Sequence, residues 1–223
     1  MKFLLCIAAA FCASAAAISA SEVYGEIKLD TRVAKKSLPP SVYDLRGMVP
    51  HEKNPQANTG SFQRVAVWLE GGSGTAPPLT GTMRQVDRRF DPGLLIVPTG
   101  SKVEFPNFDP LFHNIFSLSP VLPFDLGYYA EGKSREMVFP KPGVIQVFCH
   151  VHPEMYGVIV ITSSRWTAKP AADGTFSFAG VAPGHYKAVV WQRLSGLVSK
   201  NISVPASGEV RVSFKLPNDD GDQ

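Results

Sequence analysis

Between Gln146 and Gly157 the sequence reads QVFCHVHPEMYG, which sets Cys149, His150, His152, Glu154 and Met155 within seven positions. Thiolate, imidazole and thioether are soft or borderline donors, and the partner they share is a transition metal. In Cys149-x2-His152-x2-Met155 one tight turn can bring the imidazole and the thioether back over the sulfur. The competing chemistry is Cys149 as a nucleophile with a histidine base. No oxyanion-forming glycine motif flanks the cysteine and no acid partner is evident, so a binding role is expected and an enzyme is not.

Alternation along the strand expected at Val144–Cys149 decides which donors converge. Ile145, Val147 and Cys149 share one face, while Gln146, Phe148 and His150 share the other. Cys149 then enters the interior at a strand end and His150 turns away. A further donor comes from NFDPLFHNI (Asn107–Ile115), where His113 opens a strand 36 residues before Cys149. Two imidazoles, a thiolate and a weak axial thioether form the ligand set of a blue-copper site. The expected ligands of one copper ion are therefore His113, Cys149, His152 and Met155. Two alternatives stay open: a structural zinc held by His113, Cys149, His150 and His152, and Glu154 replacing Met155 to give a harder site. Spacing favours the methionine, because Glu154 directly follows Pro153 and points outward.

The elements that must position these residues read as all-β. Short Val-, Ile- and Phe-rich runs alternate with Gly, Pro, Asn and Asp, without a sustained helical period. Strands are expected at 23–29, 64–70, 81–87, 93–97, 102–107, 112–118, 135–139, 144–149 and 158–162, with Pro98-Thr99-Gly100 as a tight turn. Residues 36–60, including His51, read as a long loop, and 71–79 as a flexible connector. Residues 163–174 read as a linker or turn before four more β runs. The last run, 210–216, alternates strictly, with Val210, Val212, Phe214 and Leu216 facing inward.

The first twenty residues set the compartment. Met1-Lys2 followed by FLLCIAAAFCASAAA has the layout of a secretory signal peptide, and the apolar run is too short to span a bilayer. Export to the periplasm or beyond is expected, with no integral membrane segment afterwards. Of three cysteines, Cys6 and Cys12 leave with that segment, so Cys149 has no disulfide partner. A lone thiol in an oxidising compartment invites reaction unless something occupies it. The formal net charge of +3 falls by one with Lys2, and no basic stripe is present, which argues against a nucleic-acid partner.

Lys102-Val-Glu-Phe-Pro-Asn107, His113-Asn-Ile115, Cys149-x2-His152-x2-Met155 and Gly157-Val-Ile-Val160 together resemble the cupredoxins, with a short ligand loop most similar to the amicyanin and plastocyanin side of that family. Farther on, DGTFSFAGVAPGHY (173–186) resembles the carboxypeptidase-regulatory or transthyretin-like β-sandwich repeat. The resemblance implies a Greek-key cupredoxin β-sandwich plus a small transthyretin-like module. Its expected division is a signal peptide at 1–20, N-terminal strands and loops at 21–80 that could complete the second sandwich, and a copper domain at 81–163. A β module at 164–217 and an acidic tail at 218–223 follow. It further implies one-electron transfer between transient redox partners, or alternatively copper storage or delivery. Partners would dock on an apolar patch of His152, Pro153, Leu111 and Phe112, and Asn114 would bond between the ligand loops. His150 stands where many members carry a small hydroxyl or amide. Water exposure, a replacement tie and a spare ligand are all open to it.

Overall fold

The computed structural model describes residues 21–30, 62–72 and 74–218. The expected signal peptide, the 36–60 loop with His51, and most of the acidic tail lie outside those residues. Among the described residues every regular element is a strand, and no helix is long and apolar enough to cross a membrane.

In chain order the strands begin with β1 (Ser21–Asp30), β2 (Ala66–Glu70), β3 (Thr80–Thr82), β4 (Arg84–Val86), β5 (Arg89–Asp91) and β6 (Leu94–Pro98). Then come β7 (Lys102–Pro106), β8 (His113–Ser117), β9 (Phe124–Tyr129), β10 (Ser134–Val138), β11 (Gly143–Phe148) and β12 (Tyr156–Thr162). The last five are β13 (Thr167–Ala168), β14 (Thr175–Val181), β15 (Gly184–Gln192), β16 (Gly196–Val204) and β17 (Glu209–Pro217).

Two sandwiches result. The first faces the sheet β10-β7-β3 against the five-stranded sheet β6-β12-β11-β8-β9, with the β4–β5 hairpin beside them. Its core contains Phe105, Ile115, Phe139, Ile145, Val147, Cys149, Met155 and Ile159. The second faces β14-β1-β17 against β13-β2-β15-β16 around Val23, Val67, Leu69, Phe176, Tyr186, Val190 and Phe214. Here β1 lies between β14, antiparallel to it, and β17, parallel to it, although more than 140 residues separate it from either.

A third apolar layer joins the sandwiches. Ala66 and Trp68 of β2 and Val189 and Trp191 of β15 pack on Tyr156, Val158 and Val160 of β12. Alternate residues of β12 thus serve two cores, with Ile159 and Ile161 entering the first sandwich. All seven of its positions are buried, which is why YGVIVIT reads as a continuous apolar run and not an alternating one.

Several boundaries differ from the sequence reading. The expected strand 81–87 divides into β3 and β4, and β5 follows across a two-residue turn. Strand β9 was not anticipated. Its sequence FDLGYY contains Gly127 at φ 69° and leaves most positions partly or fully exposed, so it lacks an apolar signature. The segment 163–174 is more than a linker: it contributes β13, pairs with β2, and buries Trp166 in the second core. The Pro98–Gly100 turn closes with the Ser101 N–H donating to the Pro98 carbonyl at 3.1 Å, and it carries the chain from one sheet to the other.

Candidate metal centre

Cys149 follows directly on β11, whose register with β12 runs from Gly143↔Ile161 to Phe148↔Tyr156. Ile145 and Val147 are buried in the first core on the same face as Cys149, while Phe148 packs toward the layer between the sandwiches. The turn after the cysteine closes where the Met155 N–H donates to the His152 carbonyl at 2.9 Å, with Pro153 supplying a fixed φ at its second position. This returns Met155 to the interior, where it is 1% exposed, in the same core as Cys149. His113 opens β8 and is fully buried.

Three donor atoms converge. Cys149 Sγ lies 3.7 Å from His113 Nδ1 and 3.8 Å from His152 Nδ1, and the two nitrogens are 3.0 Å apart. A point equidistant from all three atoms lies about 2 Å from each, the bonding distance of a first-row transition metal to nitrogen and sulfur. Among the described residues these are the His, Cys, Asp and Glu side chains that come together as a possible metal group. His150 and Glu154 are not in it. His150 packs against Phe116 with ring centroids 3.9 Å apart and the planes tilted by 50°, and Glu154 lies 4.0 Å from Arg88 Nη1.

The ligand loops are tied to one another. Asn114 Oδ1 accepts the backbone N–H of His150 at 2.9 Å, and its Nδ2 donates to Asp125 Oδ1 at 2.7 Å. His113 points its other nitrogen away from the cysteine, placing Nε2 2.8 Å from Asp109 Oδ2. Asp109 is the residue the sequence reading passed over. The available signal was its position four residues before the histidine, after an asparagine whose Oδ1 accepts the Asp109 N–H.

The electrostatics favour the metal-binding forms of Cys149 and His152, while His113 would release a proton to an incoming ion. Burial alone would push the Cys149 thiol up, but the bond to His113 and backbone N–H groups of Asn114, His152 and Val151 hold it below the usual thiol value. Burial would likewise lower His113, yet its bonds to Cys149 and Asp109 raise it. Burial and the facing His113 charge keep His152 below the ordinary imidazole value. A thiolate beside a neutral imidazole is the protonation state that accepts a metal ion.

No protein-family model matches this sequence, and no curated protein matches it. Solved structures are similar over part of the chain. A reduced amicyanin variant aligns at 20% identity and TM-score 0.35, over 37% of this chain and 81% of that one. A Cu(I) amicyanin variant aligns at 19% identity and TM-score 0.36 over the same shares. A purple cupredoxin from Nitrosopumilus maritimus aligns at 23% identity and TM-score 0.34, over 37% of this chain and 99% of that one. The first sandwich is an all-β frame that gathers a His-Cys-His cluster at one end.

Proposed function

We propose that this chain is an exported one-electron carrier holding a single type 1 copper ion through His113 Nδ1, Cys149 Sγ, His152 Nδ1 and Met155 Sδ. The observation that carries this reading is the convergence of the three nitrogen and sulfur donors on one point. Their chemistry fits copper, since thiolate suits Cu(I) and imidazole suits both oxidation states. Copper bound there supplies a Cu(I)/Cu(II) couple. The protein's residues supply rigidity: Cys149 is held at the end of a paired strand, and Asn114 fixes the loop that follows. Buried His113 and Met155 keep the inner side dry. A carrier is favoured over storage or delivery because His150 and Glu154, the candidate exchange ligands, are engaged elsewhere. Export rests on the character of residues 1–20.

The experiment is to add Cu(II) to the purified chain lacking residues 1–20 and record visible absorption and EPR, with Cys149→Ser beside it. An intense sulfur-to-copper charge-transfer band that the serine variant lacks is expected; a colourless protein that takes only zinc overturns the reading. Redox partners would dock at the half-buried edge of His152, which Val151 and Pro153 flank, with Leu111 and Phe112 also exposed just before His113. Fast turnover calls for a small, transient interface. Pro153→Asp is expected to slow electron exchange with the physiological partner without moving the absorption band; an unchanged rate would remove the patch from the proposal.

A further inference from the structure

The β4–β5 hairpin turns on Asp87-Arg88, both left-handed at φ 53° and 54°. Two positive φ values belong to the turn type that prefers Asn-Gly, and a residue with a Cβ carries a conformational cost there. Something must offset that cost. The N–H groups of Asp87 and Arg88 both point at Asp109, donating to Oδ1 at 2.6 Å and Oδ2 at 2.8 Å. Asp109 is 5% exposed, and its own backbone is held where its N–H donates to Asn107 Oδ1 at 2.9 Å. Next to it, the Phe108 N–H donates to the Gln85 carbonyl at 2.8 Å. The carboxylate therefore cannot swing, and Oδ2 also meets His113 Nε2 at 2.8 Å.

Resting on the copper reading, we infer that Asp109 is a positioning residue of the metal centre: its carboxylate fixes the ring of His113 and places a negative charge behind that ligand. A histidine ligand whose far N–H donates to a carboxylate is locked in one tautomer and becomes a stronger donor. Here the far nitrogen is Nε2, and the near one, Nδ1, faces Cys149 and His152. Added negative charge favours Cu(II) over Cu(I), so Asp109 lowers the reduction potential of the site. The strained hairpin and the ligand are then two ends of one clamp.

Asp109→Asn tests this, because the amide keeps the shape and one acceptor but loses the charge. Cu(II) affinity is expected to fall about 10- to 100-fold, Cu(I) affinity to fall less, and the midpoint potential to rise. Should the hairpin fail in that variant, the same substitution is made with Asp87→Asn and Arg88→Gly, which give the tip the residues its geometry prefers. That tip variant is also measured alone, and the shift assigned to Asp109 is the difference between the two. If both oxidation states lose affinity equally, or the potential does not move, Asp109 is only a clamp on the turn and the inference falls. A wild-type protein without the charge-transfer band would instead overturn the copper reading, so the two failures are distinguishable.

Discussion

Single buried side chains in this protein are anchored by specific hydrogen bonds to the backbone. Tyr186 lies in the second core at 3% exposure and donates through Oη to the Ala182 carbonyl at 2.9 Å. Burial raises its phenol above the ordinary tyrosine value. Above pH 10 the unfolded chain loses this proton while the folded chain keeps it, so the unfolded state binds fewer protons and stability falls as pH rises. Tyr186→Phe is therefore expected to cost about 1 kcal/mol near pH 7, from the lost hydrogen bond. Its deficit should narrow as pH passes 10, measured by denaturant unfolding across that range. A deficit constant with pH would contradict this. At this scale the nearness of Cys149 and His152 was legible because only two residues separate them in one short segment. His113 was legible because it opens a β run 36 residues before Cys149, after the Asn107–Phe112 loop. Asp109 was not, because its partners Asp87 and Arg88 are more than twenty residues upstream and nothing in the sequence shows that the hairpin tip returns to it.

At the level of elements, β1 is set by what it lacks. Gly25 pairs with Phe176 of β14, whose ring lies over the glycine; a Cβ there would stand 1.9 Å from Phe176 Cζ. Gly25→Val is expected to destabilise the protein by about 1–3 kcal/mol, since overpacking forces the ring out of place. The charge-transfer band of the copper-loaded protein should stay unshifted, because Gly25 belongs to the second sandwich. A shifted band at unchanged stability would show that the two sandwiches are coupled differently. The period-two pattern of β17 and the apolar run of β12 made those strands visible in the sequence. Strands β9 and β13 stayed hidden, one because its residues are largely exposed and the other because it is two residues long. Pairing partners decide such strands, and pairing is not written in local composition.

At the scale of the whole molecule, the described residues stack four sheets, the β4–β5 hairpin aside, with three apolar layers between them, and the middle layer joins the two sandwiches. Trp191, 4% exposed in that layer, is its largest contribution from β15. Trp191→Ala is expected to cost about 3–5 kcal/mol and to split a single unfolding transition into two, the copper band and the far-ultraviolet signal no longer changing together. Coincident transitions in the variant would mean that the sandwiches remain one unit without the tryptophan. An expected division between a first and a trailing β part could be drawn from motif positions. The face that joins them could not, since Trp68, Tyr156 and Trp191 come from three separate stretches and alternate with residues of other cores.

The order in which strands leave the ribosome gives the position of β1 another meaning. Strands β3 to β12 find every neighbour within residues 80–162, so that sandwich can close while synthesis continues. Among the described strands β1 emerges first, yet it has neither flanking strand until β14 and β17 are made. Such long-range pairing is slow to form. Until then it is an unpaired edge, and the growing chain must be kept from using it as one.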